Sequence, residues 1–153
     1  MNEPDHEFLS AIKHAFDERV PFNRVLGTRI TSIEEGRPTV RFEMRDELVG
    51  NYLRGNLHGG VISGVMDATG GLTAFLGGKE RMNQESIEVR KEQLGKLGTI
   101  DLRVDYLRPG LGKWFEATGH IIRAGNKIAV VRIELHNDEG EMIAVGTGAY
   151  VVA

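Results

Sequence analysis

The stretch LHGGVISGVMDATGGLTAF, residues 57–75, decides the fold. From Ser63 to Phe75 it contains neither proline nor strand-like alternation, and its apolar residues recur at helical spacing, which predicts a helix. On a wheel of about 100° per residue, the side expected to face a sheet carries Ile62, Val65, Met66, Leu72 and Leu76. The opposite side carries Gly60, Ser63, Gly64, Asp67, Gly71 and Ala74.

The small residues around Asp67 need an explanation, because each glycine inside a helix costs about 1 kcal/mol relative to alanine. They permit close packing against another backbone, such as the same helix of a second copy, or the passage of a thin ligand beside the carboxylate. No basic residue lies four positions before or after Asp67, where Ser63 and Gly71 stand. A functional carboxylate and a merely solvated one are both compatible with this pattern.

The sequence His58-Gly59-Gly60 falls where this helix should begin. Unpaired N–H groups at a helix start favour negative charge, and such donors stabilise the oxygen of a tetrahedral intermediate in acyl transfer. Glycine pairs also precede helices for purely structural reasons, and a lone histidine is more often structural than catalytic. The motif therefore marks a candidate site without identifying its chemistry.

The remaining chain predicts a second long helix and six strands. Residues 5–20 carry apolar side chains at spacings of three and four, which predicts an amphipathic helix that Pro21 ends. Alternation and turn residues predict strands at 26–34, 38–45, 99–107, 113–123, 127–137 and 141–152, the last four as an antiparallel meander. In the first strand of the meander, one face is expected to carry Ile100, Leu102, Val104 and Tyr106. The charged insert at 79–97 is expected to form a short surface helix that includes Met82, Ile87, Val89 and Leu94.

The composition excludes several classes of function. A length of 153 residues, with 41% hydrophobic and 27% charged residues, fits one folded domain over residues 1–153. The net charge of −3 argues against nucleic-acid binding, and the lack of cysteine excludes disulfides, thiolate metal sites and a cysteine nucleophile. No HxxxH or HExxH pair occurs, so no metal site is expected. Asp67 and eight glycines make the stretch 55–78 a poor membrane span, and we expect a cytoplasmic protein.

Three separated segments resemble the PaaI-like hotdog thioesterases, and the resemblance covers roughly residues 25–152. They are G-x-L-H-G-G followed by an aspartate nine residues after the histidine (55–67), TIDLRVDYLRPG (99–110) and IIRAGNKIAVVRIEL (121–135). The resemblance implies an α+β hotdog fold, in which an antiparallel sheet of five to six strands wraps around one long central helix. An N-terminal helical segment at 1–24 adds to this core.

The same resemblance implies a thioesterase that hydrolyses acyl-CoA. No metal or cofactor is needed, since coenzyme A is part of the substrate. PFNRVLG at 21–27 and the insert at 79–97 are similar to a bacterial acyl-CoA thioesterase of this family. That similarity suggests medium to long acyl chains and a role in fatty acid metabolism.

By motif position, the resemblance assigns Asp67 as nucleophile or general base on the thioester. The backbone N–H of Gly59 polarises the thioester carbonyl, and His58 shapes the turn. Thr99 takes the place of a family hydroxyl residue that orients water from the neighbouring subunit. The family asparagine six residues before the histidine is replaced by Tyr52, with an asparagine at position 51. A one-residue insertion in the loop would restore its role to Asn51.

The family site forms between two subunits, so a homodimer or a tetramer made of two dimers is expected. The phosphates of coenzyme A require cations near the tunnel mouth, for which residues on or beside turns are candidates. The expected substrate-binding residues are Gly60, Ser63, Arg108, Arg123, Asn126 and Lys127. The insert at 79–97 either covers the acyl channel or only decorates the surface.

Three alternatives stay open at this point. The chain could bind acyl-CoA without catalysis, although no DNA-binding helix-turn-helix is recognised that would make it a regulator. It could act on aromatic acyl-CoA. It could also be another hotdog enzyme such as a dehydratase, but His58 stands in the thioesterase pattern rather than in a dehydratase motif.

Overall fold

The computed structural model describes residues 3–77 and 86–153. Its helices are α1 (Glu3–His14), a π-helical turn (Ala15–Arg19), α2 (Pro21–Leu26), a 3₁₀ turn (Asp46–Leu48), α3 (Gly59–Leu76) and α4 (Ile87–Lys96). Its strands are β1 (Arg29–Glu34), β2 (Arg37–Glu43), β3 (Val49–Asn51), β4 (Asn56–Leu57), β5 (Gly98–Tyr106), β6 (Trp114–Ala124), β7 (Ile128–Asn137) and β8 (Met142–Val151). In these two ranges, no helix is long and apolar enough to cross a membrane.

Six of the strands form one antiparallel sheet in the order β1-β2-β6-β7-β8-β5, and β3 pairs with β4 in a small hairpin. Helix α3 contacts β2, β5, β6, β7 and β8 of the large sheet. The predicted α+β architecture, with five to six strands around one long central helix, is confirmed. The predicted meander of the last four strands is wrong in one pairing, because β5 pairs with β8 and β6 pairs with β2. The hairpin was not predicted, because strands of two and three residues are too short to show alternation.

The first predicted strand was placed too early, because Pro21 begins a helix instead of only ending one. Proline is favoured at the first position of a helix, where its missing N–H is not needed. Helix α2 therefore extends to Leu26 and ends on Gly27, whose φ of 75° is in the left-handed region. Strand β1 begins only at Arg29.

In the second half of α3, residues 69–76, both faces are buried, which the helical wheel did not predict. Ile62, Val65 and Met66 pack in the main core against the sheet, as expected. Ala74, predicted on the opposite side, also belongs to this core. Leu72 instead packs in a second cluster with Ile12 and Phe16, because the N-terminal helical segment covers the far side of α3.

Strand β5 contains a β-bulge that breaks the predicted alternation. Thr99 pairs with Tyr150 and Asp101 pairs with Ala149, so Ile100 is an extra residue in the ladder. As a result Thr99 contacts α3 while Leu102 and Val104 still pack on the core. Ile100 and Tyr106, predicted on that same face, are half exposed on this edge strand.

Side chains that pack directly against glycine backbones hold α3 close to the sheet. A Cβ atom at Gly119 of β6 would overlap the hydroxyl of Thr73, and one at Gly70 would overlap the phenol oxygen of Tyr150. Tyr150 is 1% exposed. A Cβ at Gly148 would lie 2.7 Å from its ring. Glycines on both the helix and the strand therefore form the slot that holds this side chain.

The π-helical turn fastens the N-terminal helices to the sheet. Asp17 is buried, and its Oδ1 accepts a hydrogen bond of 2.9 Å from the N–H of Ile30 on β1. Burial raises the pKa of the Asp17 carboxyl above its usual value of 3.8, although the Ile30 N–H and the nearby Arg29 cation lower it. The ionised side chain is therefore a net cost to the folded state.

We expect Gly70→Ala to destabilise the protein by about 1–3 kcal/mol, because the new methyl group displaces Tyr150. Helix propensity alone predicts the opposite sign. The matched control is Gly95→Ala in α4, where an added Cβ meets no atom within 4 Å. That change should be neutral or stabilise by up to about 1 kcal/mol. Urea unfolding followed by circular dichroism measures both, and equal effects would contradict the close-contact explanation.

We expect Asp17→Asn to be at least as stable as the wild type at pH 7, because an amide oxygen still accepts the Ile30 N–H without a buried charge. The folded-state pKa of Asp17 is raised, so the wild type gains stability as the pH falls through it towards 3.8. The advantage of Asp17→Asn should shrink over that window. Asp17→Ala leaves the N–H unpaired and should lose about 1–3 kcal/mol at pH 7. Denaturant unfolding at several pH values tests this, and a less stable Asp17→Asn at pH 7 would refute it.

Candidate active site

The start of α3 presents one unpaired backbone donor. His58 is the N-cap residue, and its Nδ1 accepts a hydrogen bond of 2.8 Å from the N–H of Gly60. Because Nδ1 is the acceptor, the ring carries its proton on Nε2. The His58 carbonyl accepts from Val61 and Ile62. Among residues 3–77 and 86–153, no acceptor is found for the N–H of Gly59, so this group is free to bind a ligand oxygen.

Two neighbouring segments fix the position of this helix start. The N–H of His58 donates to the Leu48 carbonyl at 2.8 Å, and a Cβ at Gly50 would lie 2.6 Å from the His58 Cα. The phenol of Tyr106 donates to the Gly59 carbonyl at 3.1 Å. Tyr106 was not singled out as a site residue. It belongs to the segment TIDLRVDYLRPG, and its alternation pattern only suggested a core position.

Asp67 lies two turns further along α3, where its Oδ1 accepts a hydrogen bond of 2.9 Å from the hydroxyl of Thr99. This contact is within one chain. The resemblance placed Thr99 on the neighbouring subunit, whereas here it already contacts Asp67 of its own chain; its expected role of orienting water stays a prediction. Strand β5 begins beside the middle of α3, since Thr99 pairs with Tyr150 on β8, and the bulge at Ile100 turns Thr99 towards the helix.

Tyr150 is a third group at this carboxylate, and sequence reasoning missed it. Its phenol donates to the Asp67 carbonyl at 3.3 Å. Burial raises the pKa of the Tyr150 phenol above its ordinary value of 10, and the Asp67 charge raises it further. The phenol is thus protonated and acts as a donor at neutral pH. The only hint in the sequence is the run of small residues before it, GTGA at 146–149.

The two halves of the predicted site are far apart within one chain. Gly59 and Asp67 are separated by eight residues on the same α-helix, which corresponds to about 12 Å along its axis. A carbonyl oxygen bound to the Gly59 N–H cannot have its carbon next to the carboxylate of the same chain. One chain therefore carries an anion-binding half and a carboxylate half that do not meet.

An apolar cavity of about 330 Å³ opens beside Asp67. It lies between the N-terminal helices, α3 and the end of α4. Its apolar walls include Ile12, Phe16, Leu72, Phe75, Leu94 and Leu97. The insert predicted at 79–97 thus contains a helix, as expected, and its last part lines this cavity. The position of Met82 and the rest of 78–85 lie outside the described residues.

The other predicted residues are distributed over the surface. Ser63 is one turn before Asp67 and its hydroxyl donates to the Gly60 carbonyl at 3.2 Å. The N–H of Gly60 donates to His58 Nδ1, so it is not available to a ligand. Asn51 is exposed in the β3–β4 hairpin, where its Oδ1 accepts from the N–H of Leu53 at 3.1 Å. Its amide oxygen therefore holds the turn.

The predicted phosphate-binding residues do not converge in one chain. Arg108 donates to the Met142 carbonyl at the start of β8. Arg123, Asn126 and Lys127 are exposed around the β6–β7 hairpin. There the Lys127 carbonyl accepts a hydrogen bond from the N–H of Val152, just beyond the end of β8. Ten residues of strand separate these places, or about 30 Å. Within the part of the chain that the structure describes, no group of three His, Asp or Glu side chains is placed to hold a metal ion.

Comparisons with known proteins identify the family of this chain. The thioesterase superfamily model matches residues 54–144. Medium/long-chain acyl-CoA thioesterase YigI of Escherichia coli K12 is 42% identical over 144 residues, covering 94% of this chain and 93% of YigI. A Shewanella oneidensis protein related to the thioesterase superfamily has a TM-score of 0.95 at 46% identity, with 100% of both chains covered.

The likeness to PaaI is confirmed at the level of the fold. The E. coli PaaI protein of the phenylacetic acid degradation operon has a TM-score of 0.72 at 20% identity, covering 92% of this chain and 89% of PaaI. Sequence matches over most of the chain and a shared sheet-around-helix architecture lead to the same assignment. This chain belongs to the thioesterase superfamily and has its hotdog fold.

Proposed function

We propose that this chain is an acyl-CoA thioesterase, which hydrolyses medium- to long-chain acyl-CoA to the free acid and coenzyme A. The observation that carries this proposal is the Asp67 carboxylate, which the Thr99 hydroxyl holds at the edge of an apolar cavity. The relative YigI is named as a medium/long-chain acyl-CoA thioesterase, which supports the substrate class. A cytoplasmic location is part of the same proposal.

In the proposed reaction, the Gly59 N–H donates to the thioester oxygen and stabilises the negative charge that develops there. Asp67 takes a proton from a water molecule as that water attacks the carbonyl carbon. The carbon–sulfur bond then breaks, and the leaving thiolate of coenzyme A takes the proton that Asp67 accepted, which returns Asp67 to its carboxylate form. The Thr99 hydroxyl donates its hydrogen to Asp67, so the Thr99 oxygen can accept a hydrogen bond from such a water molecule. This arrangement favours the water-mediated route.

Direct attack by Asp67 is the competing route. It would form a mixed anhydride that water then hydrolyses. A single turnover in ¹⁸O-labelled water tests for direct attack. Label in the Asp67 side chain requires that the anhydride formed and that water then cleaved it at the Asp67 carbonyl, whereas general-base attack leaves no label there. In both routes Tyr150 acts as a positioning residue, since its phenol contacts the Asp67 carbonyl and keeps the carboxylate in place.

The complete site requires a second copy of this chain. Because Gly59 and Asp67 of one chain are about 12 Å apart, we propose that Gly59 of one protomer acts with the Asp67 of its partner. Two antiparallel copies of α3 around a two-fold axis would form two such sites. Tyr52 and Leu53, in the hairpin before the Gly59 end of α3, are almost fully exposed, which supports an interface there. Pairing of two dimers into a tetramer is a further prediction.

We expect Asp67→Asn to lower kcat by about 10²–10⁴-fold, because the amide cannot take a proton from water. The amide oxygen still accepts from Thr99, so the fold should be intact. Thiol release from dodecanoyl-CoA measures the effect, with circular dichroism as a check of folding. The control is Asp105→Asn, which removes a carboxylate paired with Arg103 on β5. Retained activity in Asp67→Asn would refute its role, and binding without thiol release by the wild type would favour a non-catalytic protein.

We expect Gly59→Pro to lower kcat by about 10²–10³-fold, because it removes the oxyanion donor. Position 59 is the first residue of α3, and His58 before it has extended backbone angles, so proline fits there. Gly59→Ala keeps the N–H, and its Cβ would make only an ordinary 3.5 Å contact with Tyr106. This control should stay active.

Mixing the two inactive variants tests the shared site. Each heterodimer of Gly59→Pro with Asp67→Asn contains one site in which both groups are intact. Unfolding and refolding the mixture should therefore restore about a quarter of the wild-type activity, by random pairing of two chains in a two-fold dimer. No recovery, with heterodimers detected by mass spectrometry, would show that the site does not combine residues from two chains.

A further inference from the structure

We propose that the cavity between α1, α3 and α4 binds the acyl chain of the substrate, and that Leu94 on α4 limits the chain length that is accepted. This inference rests on the proposed function and adds a location and a selecting residue to it. The occupant is a linear hydrocarbon chain attached to the thioester at Asp67.

The cavity extends along α3, away from the Gly59 end. Asp67 lies at its edge, and Leu72 and Phe75 follow five and eight residues later on the same helix. At 1.5 Å per residue, Phe75 is about 12 Å beyond Asp67. An extended alkyl chain with bonds of about 1.5 Å and tetrahedral angles advances about 1.25 Å per carbon. The cavity floor therefore matches roughly ten carbons.

Helix α4 and the residues after it run antiparallel to this floor. Thr99 contacts Asp67, and Leu97 comes within 3.6 Å of the Cβ position of Gly71, one turn further on. Arg90 lies over the ring of Phe8 at 4.8 Å, and the Phe8 ring is 6.3 Å from that of Phe75. Leu94, between Leu97 and Arg90, therefore faces the half of the cavity that is distant from Asp67.

The chemistry of the walls suits an apolar ligand. The polar residues lining the cavity are Asn23, Asp67, Thr99 and Tyr150. The last three are the groups at the carboxylate, and the Asn23 amide donates to the Phe16 carbonyl at 3.1 Å. Every other lining residue is apolar or glycine. Burial of each methylene in such walls should raise affinity roughly fourfold, so longer chains bind better until the space is filled.

The test compares two tryptophan substitutions on the same helix. Leu94 and Val89 have similar exposure, 36% and 39%, but only Leu94 lines the cavity. We expect Leu94→Trp to lower kcat/KM for decanoyl- and longer acyl-CoA by roughly tenfold or more, and to leave butanoyl-CoA nearly unchanged. Val89→Trp should leave the whole series unchanged. Leu94→Phe, a smaller change, should have the same effect to a lesser degree and guards against misfolding of Leu94→Trp.

The outcomes separate the two proposals. If the wild type releases thiol but Leu94→Trp affects all chain lengths equally or none, the acyl-site inference is wrong and the proposed function stands. If the wild type releases no thiol from any acyl-CoA, the proposed function is wrong, and calorimetry with dodecanoyl-CoA and coenzyme A alone decides the inference. Weaker dodecanoyl-CoA binding in Leu94→Trp but not in Val89→Trp would support it, and equal binding in all three proteins would overturn it.

Discussion

The close approach of α3 to the sheet is the constraint on which the rest of the structure depends. At Gly119 and Gly70 there is no space for a single additional carbon atom, because the Thr73 hydroxyl and the Tyr150 phenol occupy it. Tyr150 thereby spans from β8 to the middle of α3 and meets Asp67. The same approach aligns β5, so that the bulge at Ile100 directs Thr99 to the carboxylate. A loosely packed helix would leave Asp67 without these two partners.

The sequence predicts the elements of this arrangement better than the contacts between them. Helical spacing identified α3 and its sheet-facing residues Ile62, Val65 and Met66, because periodicity reports which side of an element is buried. It did not identify Gly70 as a packing residue, because the reason for that glycine is a side chain eighty residues away in sequence. Tyr150 was missed for the same reason. Alternation also gives the wrong face for residues beside a one-residue bulge, such as Ile100.

The candidate site divides in a similar way. The motif positions of Gly59 and Asp67 follow from the sequence. The helix rise of 1.5 Å per residue implies that the two residues lie far apart within one chain. The partner of Thr99 did not follow, since a motif gives the position of a residue but not the chain that it contacts. The basic residues were also expected to lie together at one phosphate-binding place, which they do not do within one chain. Arg108 and Lys127 are both near turns, but strand length keeps those turns at opposite ends of the sheet.

The cover of the cavity differs from its floor in how much sequence change it tolerates. Helix α3, which forms the floor, is held against the sheet at Gly70 and Gly119, where no larger residue fits. Helix α4 instead contacts α1 where Arg90 lies over the face of the Phe8 ring. Mutations in α4 can therefore change the shape of the cavity while the sheet and the residues around Asp67 stay as they are. Natural selection can vary the covering helix independently of the hydrolytic groups, so that new preferences evolve on an unchanged chemical scaffold.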